Sequence, residues 1–118
     1  MKIFAIDFDG TIVQDKYPAI GVLQPYARDV INRLHEEGHY IIIWTCRTGD
    51  HLTNAVNFLL ASGIKFDRVN DHEPNNCLQY GPHARKVFAD YYIDDKIVGG
   101  FPGWATLDQL IFNTNMFE

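Results

Sequence analysis

Asp7 and Asp9 flank a phenylalanine at the end of the apolar run Lys2–Phe8, and Asp94-Asp95 follows the short run Tyr91-Tyr92-Ile93. An Asp-x-Asp after a strand is often only a pair of turn formers, because short carboxylates hydrogen-bond the backbone of their own turn. A second acidic pair ending another strand changes that reading. In a parallel sheet the strand ends share one rim, and four carboxylates would meet there. Like charges that close need a cation or a proton. An all-oxygen set suits a hard ion, and Mg²⁺, which takes near-octahedral oxygen ligation and keeps several waters, fits better than zinc. Such an ion would also neutralise an anionic substrate. Thr45, closing the run Tyr40–Trp44, adds a hydroxyl to the same rim.

These positions converge only if the elements between them make a parallel sheet. Lys2–Phe8 reads as a first strand. Pro25 opens a segment with Tyr26, Val30, Ile31 and Leu34 at helical spacing, and Gly38 stands where a residue just past a helix end belongs. Tyr40–Trp44, apolar throughout, reads as a strand covered on both faces and ending at Thr45. A second helix runs from Asp50, its expected N-cap, through Leu52, Ala55, Val56, Leu59 and Leu60 to Gly63. Phe66–Val69 reads as a short third strand, and Asn70–Pro82, rich in Pro, Asn and Gly, as a loop. Tyr91–Ile93 is a fourth strand and Trp104–Phe112 a last helix. Strands alternating with helices imply right-handed crossovers and an α/β/α three-layer, Rossmann-like core whose ligands lie beyond the C-terminal strand ends.

With 118 residues, the chain has room for one domain, 1–118, and no second catalytic lobe. Its 47% hydrophobic and 21% charged residues are those of a globular protein. A net charge of -5 argues against a sequence-independent grip on duplex nucleic acid. The longest apolar run, Tyr40–Trp44, is far short of the ~20 residues of a membrane span. Cys46 and Cys77 have neither zinc-ligand spacing nor a disulfide framework, so a cytoplasmic chain with reduced thiols is expected.

Ile3-Phe4-Ala5-Ile6-Asp7-Phe8-Asp9-Gly10-Thr11 resembles the first motif of the haloacid dehalogenase superfamily, an apolar strand followed by DxDGT. Ile42-Ile43-Trp44-Thr45 is similar to the second motif. Lys86, ahead of Val87-Phe88-Ala89-Asp90 and Tyr91-Tyr92-Ile93-Asp94-Asp95, resembles the third and fourth. The match in order and spacing runs from Met1 to about Lys96. The resemblance implies a Mg²⁺-dependent phosphatase that acts on small-molecule phosphate esters through an aspartyl phosphate. Asp7 would be the nucleophile and Asp9 the general acid and base, its carboxyl made less acidic by acidic neighbours. Thr45 and Lys86 would hold the phosphoryl oxygens. Asp7 by its side chain, Asp9 by its backbone carbonyl and the Asp94-Asp95 pair would hold the metal. In this superfamily a cap domain usually closes over the substrate, but the gaps here, Ile12–Gln24 and Cys46–Arg85, hold none. Water would be excluded by a partner subunit, by the chain's own loop or by a large substrate, and a homo-oligomer is expected.

Arg47 reads either as a ligand for substrate phosphate or as a solvated loop cation, and Arg85 competes with Lys86. His72, Glu73 and His83 read as exposed loop groups, His51 as a surface residue of a first helical turn, Cys46 as a small buried residue, and Trp44 and Trp104 as packing. Two other functions fit parts of the pattern. A non-catalytic phospho-acceptor or regulatory module would use the acidic rim but needs no Asp9. A nucleic-acid end phosphatase would need a cationic groove that the net charge disfavours.

Overall fold

A computed structural model describes residues 1–81, 84–114 and 116–117 of the chain. Four strands, β1 (Ile3–Ile6), β2 (Tyr40–Ile43), β3 (Arg68–Val69) and β4 (Tyr91–Ile93), form one sheet in the order β3-β2-β1-β4, with every pairing parallel. Ile6 stands opposite both Ile43 and Ile93. The residues that follow each of these isoleucines therefore leave the sheet along one edge, which is how Asp7, Thr45 and Asp94 come to share a rim.

The period-2 alternation of β1 divides its side chains between two cores. Phe4 and Ile6 join Val30, Ile31 and Leu34 of α1 (Ala27–Glu36), Leu59 of α2 (Gly49–Ala61) and Trp104 and Ile111 of α4 (Trp104–Phe112). Ile3 and Ala5 face the other way, into a smaller cluster with Ile42, Val87 and Ala89 on which Trp44 packs. Fully burying a side chain of this size contributes about 1.5–3 kcal/mol, so the larger cluster carries most of the stability. Helix α3 (Pro74–Tyr80) lies beside the second face, sharing a cavity with Val87 and Tyr92. The parallel sheet between these layers is consistent with the expected Rossmann-like three-layer architecture. No helix among the described residues is long and apolar enough to cross a membrane.

The expected elements are present, with shifted ends. Tyr26 adopts φ 65°, so α1 starts at Ala27 and not at Pro25, while Gly38, at φ 89°, closes it as expected. Thr48, not Asp50, precedes the first residue of α2. The segment Asn70–Pro82, expected to be a loop, contains α3. Glu73 caps it, accepting from the backbone N–H groups of Asn75 and Asn76, both at 2.9 Å, and Pro74 takes the first turn, where its missing N–H costs nothing. Capping buries Glu73, and the His72 Nε2 lies 2.7 Å from the Ala84 carbonyl oxygen; neither side chain is the exposed loop group expected. Pro82 and His83 lie outside the described residues.

Candidate metal and phosphoryl site

Asp7 emerges from β1 with its N–H donating to the Ile93 carbonyl at 2.9 Å, which ties the end of β1 to the end of β4. The chain then turns tightly. The N–H groups of Thr11, Ile12 and Val13 all reach the Phe8 carbonyl, at 3.2, 3.0 and 3.2 Å. Gly10 sits in this turn at φ 86°, and a Cβ there would fall 2.0 Å from Asp95 Oδ2. Glycine is needed both for the backbone angle and to let the Asp95 carboxylate lie against the turn. The Thr11 hydroxyl, fully buried, donates to Asp7 Oδ2 at 3.0 Å and lies 3.5 Å from Asp95 Oδ1. Trp104 is core, as expected, but its indole N–H also donates to the Thr11 carbonyl at 2.7 Å and so anchors the turn from beneath.

Asp7, Asp94 and Asp95 each present a carboxylate oxygen within 4.8 Å of the others. Burial, then a hydrogen bond shared with Asp95 and the charge of Asp94, push the Asp7 carboxyl up to about 8, against the opposing hydrogen bond from Thr11. Burial would raise Asp95 too, but its hydrogen bonds with Asp7 and Lys96 more than reverse this and hold it below the usual carboxylate range. Without a cation, then, the cluster keeps a proton. A divalent ion would displace that proton and offset the same repulsion, and three partly buried carboxylates with a hydroxyl beside them are a donor set for a hard ion.

Asp9 stands apart from this cluster. Its surroundings are not the acidic ones expected but the guanidinium of Arg47: Nε donates to Asp9 Oδ2 at 2.7 Å and Nη2 to Oδ1 at 2.8 Å. Arg47 is neither a free phosphate ligand nor a solvated loop cation. It is 1% exposed, and its remaining donors reach the carbonyls of Pro18 and His51, both at 3.1 Å, and Ala19, at 2.9 Å. All five N–H groups of the guanidinium are thus satisfied. It lies between the rings of Phe8 and Tyr17, 5.3 and 5.1 Å from their centroids. One side chain therefore fixes Asp9, the start of α2 and the segment after the first turn. That segment returns to the core through Val13 and Leu23, and Asp15 and Tyr17 in it line the cavity over the aspartates, about 600 Å³ in volume.

Thr45 is held at the rim by Asn70, whose side chain accepts the Thr45 N–H at 2.8 Å and donates to the Thr45 carbonyl at 2.9 Å. Nothing in the spacing of Asn70 singles it out; its φ of 53° and this paired contact do. Cys46, expected to be buried, is exposed on the cavity wall. Lys86 is not brought to the aspartates. It lines a neighbouring cavity of about 400 Å³, its Nζ 4.8 Å from the centre of the Tyr92 ring. The lysine in the aspartate cavity is Lys96, with Nζ 3.2 Å from Asp95 and 3.9 Å from Asp15.

No family model matches the sequence, and no curated protein matches it. Among solved structures, the conserved protein coded by a locus from Bacteroides thetaiotaomicron superposes with a TM-score of 0.85 at 38% sequence identity, over 95% of this chain and 90% of its own. A chain of the Pnkp1/Rnl/Hen1 RNA repair complex superposes with a TM-score of 0.56 at 17% identity, over 95% of this chain and 40% of its own. A second structure of the Pnkp1/Rnl/Hen1 complex gives 0.58 at 19%, over 92% and 42%. At that identity these two chains share the fold alone.

Proposed function

We propose that this chain, which belongs to the same family as the conserved Bacteroides thetaiotaomicron protein, is a Mg²⁺-dependent phosphomonoester hydrolase of the haloacid dehalogenase type. The observation that carries the reading is the meeting of Asp7, Asp94 and Asp95 at one sheet edge. Their carboxylates, with the Asp9 backbone carbonyl, would hold the metal. A bound Mg²⁺ would supply positive charge where the phosphoryl oxygens gain negative charge.

Asp7 attacks phosphorus in line with the leaving oxygen, forming an aspartyl phosphate as the ester P–O bond breaks, and the departing alkoxide takes a proton that Asp9 carries on an oxygen turned out of the Arg47 fork toward the cavity. In the second half-reaction Asp9 takes a proton from a water, which attacks the same phosphorus and frees Asp7 and inorganic phosphate. The Arg47 fork holds the Asp9 side chain in place beside the cavity. Thr45 steadies the phosphoryl oxygens from beyond the end of the second strand, whereas Lys86, lining a different cavity, makes no contact through which it could do so.

The direct assay is release of inorganic phosphate from an aryl phosphate and a broad panel of metabolite esters, with Mg²⁺ and after chelation. We expect release that falls at least ~100-fold on chelation, given the charge stabilisation a metal supplies. If no ester in the panel releases phosphate with Mg²⁺ present, the phospho-acceptor or regulatory module takes precedence.

A further inference from the structure

The mouth of the cavity carries a fixed aromatic wall. Tyr17 lines it and is 56% exposed, an unusual state for a ring packed on other groups. One face rests on the Arg47 guanidinium, itself locked by five hydrogen bonds, and the ring meets His51 edge-on at 5.5 Å. A ring with packing partners on one face and at one edge has less conformational freedom to lose, so stacking a ligand on it costs less entropy than on a free side chain. Charge at the mouth points the same way. Five carboxylates line the cavity against two cations, and both cations are engaged, Arg47 with Asp9 and Lys96 with Asp95. Among the described residues, a second anionic group on a ligand would find no free cationic partner there. A cavity of about 600 Å³ has room for a phosphate and a leaving group the size of a nucleoside.

We infer that Tyr17 is a stacking platform that selects phosphomonoesters whose leaving group has a flat aromatic face and no second anionic charge, a nucleoside or a simple aryl alcohol. The inference rests on the phosphatase reading for its reaction but not for its binding contact. Stacking between a base and an aromatic side chain is worth ~10- to 100-fold in affinity.

The test compares adenosine 5′-monophosphate with ribose 5-phosphate, and phenyl phosphate with glycerol phosphate, by calorimetric binding in Mg²⁺ and by phosphate release. In the wild type at least one aromatic ester should bind at least ~10-fold tighter than its aliphatic partner. Tyr17→Phe should keep that ratio and Tyr17→Ala lose it. General loosening of Arg47 in Tyr17→Ala would weaken both members of a pair alike and leave the ratio intact, so the ratio reports the ring. Preference for adenosine 5′-monophosphate alone identifies a nucleoside; preference for both aromatic esters identifies the ring as sufficient. Tyr17-dependent binding without turnover sustains the platform and removes the hydrolase reading. Wild-type protein that hydrolyses or binds aromatic and aliphatic esters equally, or a ratio unchanged in Tyr17→Ala, overturns the platform.

Discussion

Asp7→Asn should release no phosphate above background, a loss of at least ~10⁴-fold in kcat expected when a covalent nucleophile is removed, and yet without metal it should unfold at a higher temperature than the wild type at pH 8. Both halves follow from the same carboxyl. Burial and the neighbouring acids raise Asp7 from 3.8 to about 8 in the folded state. Between those values the folded protein holds a proton that the unfolded chain has given up, so metal-free stability declines as pH rises across that window. The amide has no charge to lose, and its oxygen still accepts from Thr11. At pH 8 the variant should melt higher by on the order of 5 °C, and the gap should shrink as pH falls toward 3.8 and close below it, where the wild-type carboxyl is protonated in both states. Mg²⁺ should raise the wild-type melting temperature and leave the variant's nearly unchanged. Calorimetric scans at both pH values, with and without Mg²⁺, read all of this. A variant less stable than wild type at pH 8 would mean that Asp7 is not strained by its neighbours.

Arg47→Ala should cost about 3–5 kcal/mol of folding stability, the range for removing one partner of a buried ion pair. The loss strands the Asp9 carboxylate, only 16% exposed, and removes the donor to three loop carbonyls at once. For a domain whose total stability is ~5–15 kcal/mol this approaches unfolding. Arg47→Lys separates the two jobs. It keeps the charge but cannot make a planar fork to Asp9 while reaching Pro18, Ala19 and His51, so it should fold and lose ~10- to 100-fold in kcat through a misplaced Asp9. Urea midpoints and phosphate release distinguish them. Wild-type midpoint and turnover in Arg47→Ala would show that the guanidinium neither holds the fold nor places Asp9.

The parallel sheet and the acidic rim were legible because their signals are local: apolar runs that end in Asp7, Thr45 and Asp94, separated by segments with helical periodicity. The clamp was not. Arg47 stands two residues past Thr45 with nothing in its spacing to show that its partners are Asp9 and the carbonyls of Pro18, Ala19 and His51, contacts made only when distant loops close. Cys46 next to it reads as buried by residue type, and its exposure follows from the backbone turning at the rim. Glu73-Pro74 did carry a legible signal for α3, an acidic cap before a first-turn proline, but the surrounding Asn, Pro and Gly pointed more strongly to a loop. Lys86 fits the third motif by spacing, yet spacing does not fix which cavity its long side chain enters.

Crystals grown with Mn²⁺ and measured at wavelengths above and below its absorption edge would locate the ion without reference to activity. One strong anomalous peak is expected among the carboxylates of Asp7, Asp94 and Asp95, within direct coordination distance of their oxygens, and its loss in Asp94→Asn combined with Asp95→Asn. Full Mn²⁺ occupancy elsewhere with no density at that rim would contradict that expectation.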